Sequence, residues 1–205
     1  MGNTSAKAKF AVVYPSMKIN TPFLLSLILG LGIVLSSCQK AEIPQGQRIQ
    51  VQRVISGQSL EILDRVNKVP ILKKVRLIGI NTPHLRQEPW GVQAKTRLEQ
   101  LIKGKPVLLE LDVETQDSHN QVLGYLWQDG ILINEQLIKE GYAMASIPNR
   151  GAKIQTLNTK YQQRLLMSQE WARQMEKGIW NPQQPLRQTA QEFRDQQQKA
   201  GKGNG

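Results

Sequence analysis

Few side chains in this sequence are equipped for chemistry, so their types and spacing carry most of the information. Arg76 lies in the apolar run Val75-Arg76-Leu77-Ile78, where a guanidinium asks for an anionic partner or a ligand. His84 follows Thr82-Pro83, and its ordinary pKa of about 6.5 suits a general base at neutral pH. His119, the other of 2 histidines, sits in the polar stretch Asp117-Ser118-His119-Asn120-Gln121. Four tryptophans, Trp90, Trp127, Trp171 and Trp180, could stack on bases, with core packing as the alternative for most of them. The single cysteine, Cys38, excludes an internal disulfide.

The elements that must position these groups can be read from periodicity. Val107, Leu109, Leu111 and Val113 alternate with Leu108, Glu110 and Asp112, which predicts a strand with the two sets on opposite faces. Val122–Trp127 is a second strand, and Asp129-Gly130 marks a tight turn before Ile131-Leu132-Ile133. Ile49–Ile55, Leu60–Leu63 and Val69–Ile80 complete a five-stranded reading. Helical spacing joins Ala94, Leu98, Leu101 and Ile102, with Gly104 as the stop and Pro106 beyond it. A short helix covers Glu135–Glu140. A longer one places Leu157, Tyr161, Leu165, Ala172 and Met175 on one stripe and closes at Gly178. Periodicity alone predicts a mixed α and β domain.

Three stretches say more: Val54-Ile55-Ser56-Gly57-Gln58-Ser59, Arg76-Leu77-Ile78-Gly79-Ile80-Asn81-Thr82-Pro83-His84, and Asp117-Ser118-His119-Asn120-Gln121-Val122-Leu123-Gly124-Tyr125. Together with Gly91-Val92-Gln93-Ala94 and Gly178-Ile179-Trp180, they resemble the staphylococcal nuclease (thermonuclease) family along nearly the whole domain. The resemblance implies an α+β fold, an OB-fold-like five-stranded barrel with about three helices packed outside. It also implies a reaction, hydrolysis of DNA or RNA phosphodiesters. In the family a calcium ion sits on two aspartates and a backbone carbonyl, a glutamate activates water, and two arginines stabilise the phosphate charge.

This sequence departs from that pattern at most of those positions. Gln58 and Asn81 stand where the metal aspartates belong, Thr82 is retained, and His84 replaces the glutamate. Gln121 stands at the second arginine, and Arg76 alone keeps the catalytic residue. Amides offer a carbonyl oxygen but no charge, and calcium affinity follows ligand charge. Losing a general base costs about 10²- to 10⁴-fold and losing one charge stabiliser about 10²- to 10³-fold. These losses are not additive. The expectation is therefore a catalytically degenerate domain, with no cofactor, that binds nucleic acid, another polyanion or a protein. Two alternatives stand beside it: an active nuclease with an altered site, and a structural envelope protein. A zinc site on His84, His119 and Asp117 is a further alternative for loops that a barrel would bring together, although no ligand-spacing motif supports it.

The ends of the chain point to the cell envelope. Lys7, Lys9 and Lys18 precede the apolar run 23–35, in the layout of a secretory signal, and Met17 offers a second start. Leu35-Ser36-Ser37-Cys38 resembles the lipobox of bacterial lipoproteins, whose cysteine is acylated. That predicts a signal peptide over 1–37 and a membrane lipid anchor at Cys38 outside the cytoplasm. Residues 38–47 then form a tether, 48–180 the thermonuclease-like domain, and 181–205 a Gln-rich flexible tail suited to a protein partner. A short helix over Leu186–Lys199 is compatible with the tail's composition. Removing residues 1–37 takes away three lysines and no acid, so the formal charge falls from +11 to +8. The remaining excess favours anionic partners without choosing between nucleic acid and acidic lipid.

Overall fold

Turn chemistry and period-two alternation lay out the strands. The structure is a computed structural model that describes residues 44–66, 69–146 and 160–202, within the unit Ile43–Gly205. The expected signal, Cys38 and Leu157 lie outside the described residues. The chain forms β1 (Gln47–Ile49), β2 (Val51–Ser56), β3 (Ser59–Val66), β4 (Val69–Leu77) and β5 (Ile80–Asn81). Helix α1 (Trp90–Leu101) leads into β6 (Val107–Gln116), β7 (Val122–Gln128) and β8 (Ile131–Leu132). Helix α2 (Ile133–Lys139), β9 (Met144–Ala145), α3 (Gln162–Gln174), a 3-10 turn over Gly178–Trp180 and α4 (Ala190–Lys202) complete it.

Six strands run in the order β1-β6-β7-β4-β3-β2, β8 adds to β7, and β5 pairs separately with β9. The sheet is mixed, since β4 and β7 are parallel and the other pairs are antiparallel. It curls into a half-barrel carrying four helices, the OB-like α+β fold expected. The curl divides two strands that the sequence predicts as continuous. The first breaks at Gln50, so that β1 pairs with β6 and β2 with β3. The second breaks at Gly79, whose φ of 72° turns β4 into β5. Asp129 and Gly130 take φ of 51° and 80°, the pair of positive values that a two-residue hairpin turn requires.

Leu60, Val75, Leu77, Leu98, Leu126 and Leu132 are fully enclosed in the core. Burial of each such side chain contributes about 1.5–3 kcal/mol. The buried amide of Asn134 ties this core to the end of β4. Its Oδ1 accepts the Leu126 amide at 3.0 Å and its Nδ2 donates to the Ile78 carbonyl at 2.8 Å. Both halves of the amide are thus satisfied, which fixes the strand end two residues beyond Arg76.

Burial departs in places from the simple periodic pattern. On β6, Val107 and Leu109 are buried, but Leu111 and Val113 of the same set are exposed, and Glu110 of the opposite set is buried at 8% exposure. The register of β6 against β7 shifts between Leu111 and Gln116. On α3, Tyr161, Leu165 and Ala172 face inward, whereas Met175 is exposed and Ser168 and Gln169 complete the buried face. The Gln169 side chain earns its place by accepting the Ala145 amide at 2.9 Å.

Within the stretch expected as a tail, where a short helix over Leu186–Lys199 is compatible with the composition, residues 184–193 make contacts with the domain. Trp90 Nε1 donates to the Gln184 carbonyl at 3.1 Å and Gln87 Nε2 to the Gln188 carbonyl at 2.8 Å. Leu186 N donates to the Ile179 carbonyl at 3.0 Å, and Ala190 is buried. The binding groups sit mainly on the domain and grip the segment's backbone, so its own polar composition conceals the docking.

Candidate functional site

The turn between β2 and β3 is pressed onto the start of the catalytic-type segment. A Cβ at Gly57 would stand 2.7 Å from the Ala94 Cβ and 3.0 Å from the Thr82 Cβ, so only glycine permits this approach. Gln58 follows, buried at 8% exposure, and its backbone carbonyl accepts the Leu77 amide at 2.8 Å. Its side-chain Oε1 accepts the Thr82 amide at 2.8 Å and lies 3.5 Å from Thr82 Oγ1. Thr82 is itself buried at 4% exposure. The carbonyl that could have faced a cation is committed to the protein's own backbone.

Asn81 is engaged through its amide nitrogen. Its Nδ2 donates to Ser146 Oγ at 3.3 Å, across the β5–β9 pair, and the Ser146 amide donates to the Gly79 carbonyl at 2.9 Å. Neither position supplies a carboxylate. Among the described residues, no group of three or more His, Cys, Asp or Glu side chains is arranged to hold a metal ion. His84, His119 and Asp117 therefore do not assemble into the zinc set that the sequence left open.

Asp117 shapes its own loop instead. Its Oδ1 accepts the amides of His119 and Gln121, both at 2.9 Å, while Asn120 adopts a φ of 58°. This is a side chain folding a turn by replacing backbone partners. His119 is exposed, with Nδ1 3.3 Å from Ser118 Oγ. Gln121 ends the loop, just before β7, where Leu123 lies in register with Arg76.

Arg76 is half-buried on β4, between Ser59 of β3 and Leu123 of β7. Among the described residues its guanidinium has no hydrogen bond and no ion pair. Burial lowers its pKa most, the neighbouring charge of Arg194 lowers it further, and Asp117 acts in the opposite sense. A guanidinium remains a cation under any such shift at neutral pH. A half-buried positive charge without a partner is costly unless an anion arrives.

His84 also feels the charge of Arg194. Its ring packs on Phe193 of α4, with centroids 5.4 Å apart, and its Nδ1 accepts the Arg86 amide at 3.2 Å. Burial, then Arg86, then Arg194 hold its pKa below the ordinary histidine value. His84 is therefore neutral at pH 7 and adds no charge to the site.

Sequence reasoning missed α4 as a neighbour of the site, although one signal was present. Thr189 and Glu192 form a capping box: the Thr189 amide donates to Glu192 Oε2 at 2.7 Å, and the Glu192 amide to Thr189 Oγ1 at 3.2 Å. That S/T-x-x-E pattern announces a helix start.

Residues 74–182, more than half of the chain, match the family described as Staphylococcal nuclease homologue. The chain belongs to the staphylococcal nuclease family. The match begins in β4, just before Arg76, and runs past the 3-10 turn at Gly178–Trp180. It stops short of α4, which starts at Ala190. Among curated relatives, the chain is 31% identical over 140 residues to the Thermonuclease of Staphylococcus hyicus, covering 66% of this chain and 76% of that protein. It is 26% identical over 155 residues to Endonuclease YncB of Bacillus subtilis (strain 168), covering 70% of this chain and 69% of that one. Endonuclease YhcR of the same organism is 28% identical over 167 residues, 75% of this chain but 13% of that much longer protein.

Proposed function

We propose that this protein is a catalytically degenerate thermonuclease-like domain, anchored to the cell envelope through Cys38, that binds the phosphates of nucleic acid without cutting them. One observation carries the reading. The single retained family cation, Arg76, is half-buried and has no hydrogen bond or ion pair among the described residues, while the Gln58 oxygen at the metal position is spent on the Thr82 amide. The names of the relatives, a thermonuclease and endonucleases, support the substrate class. The altered residues argue against the reaction.

The donor set at Gln58 and Asn81 does not fit calcium. A hard dication prefers several oxygens, with carboxylates supplying charge, and here one amide oxygen is occupied and neither side chain is anionic. His84 is neutral and could accept a proton, but it has no metal to orient its water. Without the dication, the base and the second arginine, Arg76 is left with ground-state recognition of a phosphate.

The test uses residues 39–205, which contain the whole unit Ile43–Gly205, incubated with single-stranded DNA and RNA with and without Ca²⁺. Salt-sensitive binding without cleavage is the expected result, since phosphate contacts release counterions. Cleavage that Arg76→Ala abolishes would overturn the degenerate reading and favour an active nuclease. Absence of both binding and cleavage would favour a structural envelope protein. For the anchor, Cys38→Ala should release the chain from membranes, and unchanged membrane association would refute acylation at that residue.

A further inference from the structure

The segment after residue 182 lies beyond the family match, yet it reaches the retained half of the site. Phe193 of α4 packs its ring on His84 at 5.4 Å, with the Arg86 guanidinium 6.0 Å from the same ring. Arg194 is the next residue, half-buried where Asp195–Ala200 beyond it are exposed. Its Nη2 donates to Gln191 Oε1 at 2.7 Å, and among the described residues it has no carboxylate partner. Asp195, the nearest acid on the helix, instead accepts the Gln191 side-chain amide at 2.8 Å, and Glu192 is engaged by Thr189. Asp117 uses Oδ1 to hold its own loop.

We propose that α4 is a wall of the binding site, and that Arg194 supplies the second guanidinium for a phosphodiester anion held by Arg76. The inference rests on the reading of the site as a phosphate binder and names a residue that the family pattern does not contain. In that pattern the second cation comes from the loop before β7, where this chain has the uncharged Gln121. The C-terminal helix brings a cation back from a different direction.

Electrostatics support the placement. The charge of Arg194 is felt at both Arg76 and His84, lowering the pKa of each. Two guanidinium groups that raise each other's cost, with no acid paired to either among the described residues, are stabilised together by one oxyanion. A separate groove of about 390 Å³ adjoins Phe193, lined among others by Arg86, Arg187 and Glu88 and by the buried Trp90, but not by Arg76 or Arg194. The half-buried Phe193 beside Arg86 is the aromatic on offer, and an aromatic beside cations matches a single-stranded polynucleotide, whose bases stack while its phosphates pair. A duplex offers no free base faces there.

The experiment measures the affinity of residues 39–205 for a fluorescent single-stranded oligothymidylate across a salt series, with inorganic phosphate as competitor. Arg194→Gln should weaken binding about tenfold, the equivalent of one charge-assisted hydrogen bond. It should also lower the salt slope by about 0.7, as expected when one single-strand phosphate contact is lost. Arg194→Lys, which keeps the charge, should retain the slope. Neither arginine is in an ion pair among the described residues, so melting temperatures should stay in place. Phe193→Ala should weaken binding through the loss of the helix's seat on His84.

If Arg194→Gln changes neither affinity nor slope while Arg76→Gln lowers both, the wall role of α4 is wrong and the phosphate-binding function stands. If Arg76→Gln is equally silent, the function falls and this inference falls with it. Tighter binding by Phe193→Ala would show that α4 covers the site and competes with the ligand, which also overturns the proposal.

Discussion

Glu110 and Arg76 are two charges on nearby strands of one sheet, and the fold treats them in opposite ways. Glu110, on β6, is almost completely enclosed. Its carboxylate accepts Trp127 Nε1 at 2.8 Å and the Tyr161 hydroxyl at 2.9 Å, and it pairs with Lys160 Nζ at 2.9 Å. The Tyr161 ring in turn meets Tyr125 edge-on at 4.7 Å. Arg76, on β4, has no hydrogen bond and no ion pair among the described residues, and only the more distant charge of Asp117 favours it. A charge that the fold surrounds with partners holds the fold together, and under the proposed function a half-buried charge without a close one is kept for a ligand. The pairing of α3 to the sheet belongs to the first kind, and Arg76 to the second.

The largest effect should come from returning charge to the unpartnered side. Gln58→Asp, Asn81→Asp, His84→Glu and Gln121→Arg combined should produce Ca²⁺-dependent cleavage at least about 10²- to 10⁴-fold above the parent. A variant that folds, binds Ca²⁺ and still does not cut would mean that the site lacks more than charge.

Glu110→Ala tests the opposite pole. It leaves the buried Trp127 and Tyr161 donors without an acceptor and should cost about 2–5 kcal/mol in urea unfolding. A cost under about 0.5 kcal/mol would remove Glu110 from the structural class. Arg76→Gln should weaken oligonucleotide binding by about tenfold or more while leaving unfolding stability equal or higher. Lost stability there would collapse the contrast, because Arg76 would then be another structural charge.

The smallest effect concerns His84. Its folded pKa lies below the unfolded value of about 6.5, so the unfolded chain takes up the proton first. The stability associated with neutral His84 is present above pH 6.5 and declines as pH falls through the folded value. Urea midpoints from pH 7 to 5 should fall less steeply for His84→Asn than for the parent. Parallel profiles would show that the ring is not held neutral by its place against Phe193 and Arg86.

The sequence exposed the scaffold better than the wiring. Strands and their turns were legible because alternation and Asp129-Gly130 act over a few residues. The burial of Glu110 was not legible, since its acceptor role depends on Trp127 and on Tyr161, far along the chain and folded back by α3. Position 58 could be placed near position 82 through the family pattern, but the hydrogen bond that occupies the Gln58 oxygen could not. The docking of α4 was hidden for a related reason: its partners, Gln87 and Trp90, lie nearly a hundred residues earlier and bind backbone carbonyls, which no side-chain pattern advertises. Only the Thr189–Glu192 capping box spoke from within the segment.

The bond from the Thr82 amide to Gln58 also limits what position 58 can hold. An aspartate there is one carbon shorter, so it would lose that reach and place an unpaired carboxylate in a buried turn. The glutamine is a clasp: it ties the turn between β2 and β3 to the segment after β5, and an acid at the same position would weaken the fold unless a cation compensated for it.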